Sequence, residues 1–237
     1  MQITSCTDYQ EMSSLALSMV LKEIDNKSDL LLCAATGGSP EGLYQELATK
    51  AKEKPEIFKQ LRIIKLDEWG GIPEMHPVTC EYFLRNKLLK PLHISQDRYI
   101  SFNADPEDPE EECLRIRTRL KKEGPIDICI LGLGANGHLA LNEPAPQLQA
   151  KAHRATLSEK SLQHAMIASM QNKPSYGLTL GMEEILNSGK IIMLVSGSGK
   201  KEIAEKFLEG KVSNDLPASF LWQHPNVECL VEQSVLE

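Results

Sequence analysis

The feature that most limits how this chain can fold is a unit that recurs at least four times: a short apolar run, a glycine-bearing turn, then a stretch with helical spacing. Residues 30–35 lead into Thr36-Gly37-Gly38-Ser39-Pro40 and a helix expected over 41–52, with Leu43, Tyr44 and Leu47 inward. Residues 61–66 end on Asp67-Glu68-Trp69-Gly70-Gly71, before a helix expected over 79–89. The run 126–131 enters GLGANGH, and 191–195 enters SGSGK with a helix over 201–208. Apolar runs that do not alternate read as strands covered on both faces, as in parallel sheets. Strand, turn and helix in repetition make crossovers that wrap such a sheet. The expected class is therefore α/β, a single doubly wound and mostly parallel sheet with helices on both faces. Shorter strands are expected at 2–6, 98–102 and 227–231. Further helices are expected from Thr7, with Thr7-x-x-Gln10 as a capping box, and over 107–122, 158–170 and 181–186. With no break in composition and no internal repeat, one domain over 1–237 is expected.

Charge and composition exclude several classes. The net charge is −7 and no lysine or arginine cluster stands out, so no nucleic-acid partner is expected. No apolar run approaches the roughly 20 residues of a membrane span. The first residues, MQITSCTDYQEM, show neither a basic nor an apolar leader region, so a cytoplasmic protein is expected. Six cysteines are scattered without a C-x-x-C pair, which points to buried free thiols rather than a metal site.

Four stretches carry chemistry. In TGGSP, Gly37 and Gly38 let backbone N–H groups approach an anion, Thr36 and Ser39 add hydroxyls, and the following helix offers its positive end. A plain strand-to-helix turn would use the same residues, and the spacing is not that of a Walker loop. Lys200 closes a second Gly/Ser turn at a helix start, where a cation opposes the helix dipole unless an anion sits there; Lys201 reads as solvated. Asp67 ends an apolar strand, the place for a base that takes a proton from carbon beside a carbonyl, although a turn-forming aspartate would look the same. Glu68 reads as the more exposed of the two. The stretch 127–144, DICILGLGANGHLALNEP, delivers His138 and Glu143 at the carboxyl edge of a strand. Its Gly132-x-Gly134-x-x-Gly137 matches a dinucleotide fingerprint, but Pro144 and Pro146 stop the long helix that fingerprint needs, and no strand-final acid follows about 20 residues on. A nucleophilic serine elbow is also missing.

TGGSP, LDEWGG, GLGANGHLALNEP and SGSGK, in this order over about residues 7–231, resemble the glucosamine/galactosamine-6-phosphate isomerase (deaminase) family. That family shares a Rossmann-like fold with the 6-phosphogluconolactonases. The resemblance implies conversion of a hexosamine 6-phosphate to tagatose or fructose 6-phosphate plus ammonia, with no cofactor and no metal. It assigns Asp67 as the base at C2, His138 as the group that opens the sugar ring, and Glu143 as the carboxylate that orients the imidazole. Thr36, Gly37, Gly38, Ser39 and Lys200 fall in the phosphate site. Asn136 stands where many members carry aspartate; it can accept a hydrogen bond but adds no charge, so a positioning role is expected. The segment 160–173 lacks the family's phosphate-binding arginine and offers His164 as the only obvious substitute. Basic residues of the allosteric site are unmatched around 153–155, so an allosteric hexamer is not expected; a monomer or small homo-oligomer is. Flanking stretches (TCEYFL, ISF and PASFLWQHPNVECL) look more like the galactosamine branch. The alternatives are a lactonase-like hydrolase, which needs no base at C2, and a non-catalytic sugar-phosphate sensor, disfavoured because no DNA-binding region precedes residue 7. The segment 158–174 is expected to form a movable cover over the site.

Overall fold

A computed structural model describes all 237 residues. Seven strands form an entirely parallel central sheet: β1 (Gln2–Cys6), β2 (Leu31–Ala34), β3 (Arg62–Lys65), β5 (Tyr99–Ile100), β6 (Ile128–Gly132), β9 (Lys190–Val195) and β10 (Val227–Glu232). The strand order is β1-β10-β9-β6-β2-β3-β5. The apolar runs are continuous because neighbouring side chains are buried on opposite faces. Leu31 and Cys33 of β2 join one core while Leu32 and Ala34 join the other, and Ile191, Met193 and Val195 part from Ile192 and Leu194 in the same way.

One face is covered by α1 (Tyr9–Asn26), α2 (Gly38–Glu53) and α3 (Cys80–Leu84). The other face carries α4 (Pro109–Glu123), α6 (Met182–Leu186) and α7 (Lys201–Leu208), together with the 3-10 turn Pro217–Gln223. The shortest helix, α5 (Glu159–Leu162), packs against neither large core. Burying each large aliphatic side chain contributes about 1.5–3 kcal/mol before cavity effects. Asp127, the odd acid in its apolar run, stands at the entry of β6, where it accepts a hydrogen bond from the backbone of Leu31 (2.7 Å) and pairs with Lys27 (2.8 Å).

From β2 the chain builds outward through β3 to β5, then returns to the other side of β2 with β6 and continues through β9 to β10. The direction of winding thus reverses between β2 and β6, and a crevice opens at their carboxyl ends. Along that edge stand, in spatial order, the loops after β9, β6, β2 and β3, which carry Lys200, His138, Gly37 and Asp67.

A second sheet was not evident from the sequence. It is antiparallel, in the order β4 (Asp67–Gly70), β8 (Tyr176–Thr179), β7 (His153–Ala155), with Asp67 opposite Thr179.

Several boundaries differ from expectation. Helix α1 is capped by Asp8, which accepts from the Glu11 N–H at 2.8 Å, while Thr7 bonds the Glu11 side chain; the cap is one residue later than the Thr7 box. Helix α2 starts at Gly38, so Gly38, Ser39 and Pro40 are its first turn rather than a loop. The helix expected over 158–170 is a single turn, Glu159–Leu162. Beyond it the side chain of His164 competes for backbone donors, its Nδ1 accepting the N–H of Met166 at 3.3 Å. Glu68, expected to be the more exposed of the two acids, is instead fully buried, because alternation along β4 turns Asp67 and Trp69 toward the crevice and Glu68 into the interior.

Candidate active site

The crevice holds a cavity of about 630 Å3, lined by Thr36, Gly37, Gly38, Ser39, Asp67, His138 and Lys200 among others. The sequence-derived residues Asn136 and Glu143 stand behind His138 and do not line it.

Asp67 keeps part of its surface open to the cavity, yet its carboxyl is pushed up to about 7. Burial is the main cause and the like charge of Glu68 the next; His138, Lys65 and the Cys80 thiol (3.8 Å) pull the other way. A carboxylate of that strength is a far better base near neutrality than a solvated aspartate. Its position is fixed from below. Glu68 accepts the backbone N–H groups of Trp69, Cys80 and Glu81, each at 2.8 Å, and so ties the start of β4 to the start of α3. Lys65, with no exposed surface, bridges Glu68 (2.7 Å) and Glu81 (3.1 Å), and the Tyr99 hydroxyl donates to Glu81 at 2.8 Å.

His138 packs its ring directly over Gly134. A Cβ at Gly134 would lie 2.3 Å from the imidazole, so any larger residue there would push the ring aside. Glu143 Oε2 lies 3.5 Å from His138 Nδ1 and accepts from the Asn136 amide at 2.7 Å. Its Oε1 accepts from the Ser161 hydroxyl and from the Ser158 N–H (3.2 Å). Burial alone would raise the Glu143 carboxyl, but the hydrogen bonds from His138, Ser161 and Asn136 outweigh it and hold the group down at about 2. Asn136 accepts from the His138 backbone N–H at 3.2 Å, so it braces the loop and the carboxylate rather than the ring. Asn142 is buried and donates to the carbonyls of Leu139 (3.0 Å) and Leu180 (2.9 Å), which clamps this loop to the end of β8.

At the other end of the cavity, Gly37 adopts φ +104° and caps α2, freeing the first N–H groups of a 16-residue helix. Ser196 donates to the Ser39 hydroxyl at 2.9 Å and joins the two Gly/Ser turns. Lys200 faces this cradle; burial lowers its amine, and no carboxylate offsets that burial. The same wall carries Lys160 and His164, so His164 is not the only polar group of its segment to reach the cavity. Sequence reasoning missed Ser158, Ser161, Cys80 and Trp69 as site residues. Trp69 and Cys80 stand in stretches read for other residues, and the two serines begin a segment read only as a helix and a cover.

Residues 8–231 match the family of glucosamine-6-phosphate isomerases/6-phosphogluconolactonase. The chain belongs to that family. AgaI of Escherichia coli (strain K12), which carries the name of a deaminase, is 39% identical over 224 residues, covering 94% of this chain and 89% of its own. Glucosamine-6-phosphate deaminase 1 of Bacillus subtilis (strain 168) is 32% identical over 235 residues, covering 98% and 97%. Among solved structures, a monomeric glucosamine-6-phosphate deaminase superposes with a TM-score of 0.93 at 32% identity, covering 100% of both chains.

Proposed function

We propose that this chain is an amino-sugar-phosphate isomerase/deaminase that converts galactosamine 6-phosphate, or glucosamine 6-phosphate, to the ketose 6-phosphate and ammonia. The observation that carries the reading is the row along one sheet edge. Lys200 and the Gly37 turn face the same cavity as a carboxylate tuned to about 7 and an imidazole backed by Glu143.

Each part then has a task. The cradle and Lys200 hold the phosphoryl group, and this remote binding fixes C2 and C1 of the sugar beside Asp67. His138 moves the proton between the ring oxygen and the anomeric hydroxyl, while Glu143 stabilises the imidazolium in passing. In the open-chain aldehyde, ionised Asp67 removes the C2 proton and gives an enolamine. Return of a proton at C1 leaves an imine at C2, and water hydrolyses that imine to the ketone with release of ammonia. The flanking stretches that resemble the galactosamine branch favour galactosamine 6-phosphate.

The test is ammonia release from the two hexosamine 6-phosphates, assayed side by side. Turnover of neither refutes the reading, and the ratio of the two kcat/KM values fixes the branch. The lactonase alternative is separated by Asp67→Asn, which abolishes deamination but would leave lactone hydrolysis intact.

A further inference from the structure

The segment over the cavity carries a donor whose direction the fold sets. His164 sits against the phosphate cradle, with Nε2 3.6 Å and Cε1 3.8 Å from where a Cβ on Gly37 would stand. Its other nitrogen, Nδ1, is occupied by the backbone N–H of Met166 at 3.3 Å. A nitrogen that accepts a hydrogen bond carries no proton, so the neutral ring is the tautomer with hydrogen on Nε2. That hydrogen faces the turn after β2.

The ring is held in this pose from three sides. Its backbone N–H donates to the Ser161 carbonyl and its carbonyl accepts from Ile167 N–H, both at 3.0 Å. Trp69 lies with its ring centroid 5.7 Å away at 45°. Ile167, with no exposed surface, anchors the turn into a small core with Trp69, Cys80 and Leu141. Of the titratable groups that line the cavity with His164, namely Asp67, Cys80, His138, Lys160 and Lys200, the two that oppose a charge on its ring are His138 and Lys200. Burial, followed by these two neighbours, disfavours a protonated ring, and a second proton on Nδ1 would cost the bond from Met166.

We propose that His164 donates its Nε2–H, as a neutral imidazole, to the phosphoryl group of the substrate, sharing that group with Lys200 and the first turn of α2. This rests on the reading of the cavity as a phosphate-ester site. It gives the phosphoryl group a neutral hydrogen bond beside the charge of Lys200. It also makes the segment after α5 part of the binding site, so that substrate pins the cover through one side chain.

The test uses inorganic phosphate as the probe, with the sugar phosphates beside it. His164→Phe keeps a ring against Trp69 and removes the donor; His164→Gln keeps a donor. Replacing a hydrogen bond to a charged group by nothing is expected to weaken phosphate binding at least about tenfold, with His164→Gln losing less. For the sugar phosphate, the rise in KM should exceed the fall in kcat. Because the donor is neutral, the ratio of wild-type to His164→Phe affinity should stay constant from pH 6 to 8. A ratio that collapses toward high pH would show a cationic ring and overturn the proposal, and so would equal phosphate binding by the two proteins. Nitrogen NMR of the labelled wild-type ring gives a reading independent of any variant: the Nε2–H tautomer must persist when phosphate is added. Phosphate binding that depends on His164 without turnover of either sugar would sink the deaminase reading and leave this one standing.

Discussion

Replacing Glu143 by glutamine tests the ring-opening assembly more sharply than removing His138. Both oxygens of Glu143 act only as acceptors: Oε1 from Ser158 N–H and Ser161, Oε2 from Asn136 and, at 3.5 Å, from His138. An amide in this place must turn its NH2 toward other donors whichever way it is flipped, and it brings no charge to an imidazolium. The carboxyl moves from 4.5 to about 2 on folding, although burial opposes the shift. At 1.36 kcal/mol per pKa unit this is about 3 kcal/mol of native-state stability. A group whose pKa is depressed by folding contributes fully above its unfolded value, here from about pH 5 upward. The contribution fades as pH falls toward 2, and less than half should remain near pH 3. For a chain of this length, about 3 kcal/mol corresponds to a drop in Tm on the order of 6–12 °C at neutral pH. Thermal melts of Glu143→Gln and wild type across pH 3–7 should show the two converging as the pH falls. At pH 7, kcat for ammonia release should fall about 10²-fold or more, the usual weight of positioned acid–base catalysis. A variant with wild-type kcat refutes the assignment of His138 and Glu143 to ring opening. A stability gap independent of pH refutes the account of the depressed carboxyl.

Three other outcomes follow from the site. Since Asp67 works ionised and titrates near 7, kcat/KM should rise with pH through an acid limb of that apparent pKa, and Asp67→Asn should lose about 10³-fold or more in kcat. Gly134→Ala should displace the imidazole and cost about 10²-fold in kcat, a 1 Å shift of a positioned group being enough; full activity would show that the ring packs elsewhere during turnover. Lys200→Met should raise KM for the sugar phosphate while changing kcat less, and added salt should weaken wild-type binding more than that of the variant.

The central sheet was legible because strands buried on both faces write unbroken apolar runs, and Gly-rich turns mark where each run ends. That pattern also placed Asp67, His138 and Lys200 on one edge, since the functional ends of parallel strands all lie there. The family motifs then pointed to Glu143 and Asn136. The small antiparallel sheet was not legible: its strands have three or four residues, and His153–Ala155 carries no alternation at all. Glu68 was misjudged because a buried carboxylate needs partners 12 and 13 residues away at Cys80 and Glu81, a relation that no local pattern records. Ser158 and Ser161 escaped notice for a similar reason. Their importance lies in the Glu143 oxygen that both reach, and a helix expected over 158–170 says nothing of that contact.

The junction at Leu66 has a bearing on how this active site could be lost or transplanted. It is the single residue between β3 of the large sheet and β4 of the small one, so the base begins a new strand within one residue of leaving another. Which face Asp67 presents is thus decided by the pairing of β4 with β8, where Asp67 stands opposite Thr179. A slip of one position would turn the base inward and swing Glu68 into the cavity. A one-residue insertion between Leu66 and Asp67, taken up as such a slip, would therefore exchange one acid for the other without altering either, whereas length changes in the loop beyond Gly71 would leave that choice intact. The three amides gripping Glu68 act as a lock on reading frame as much as a source of stability.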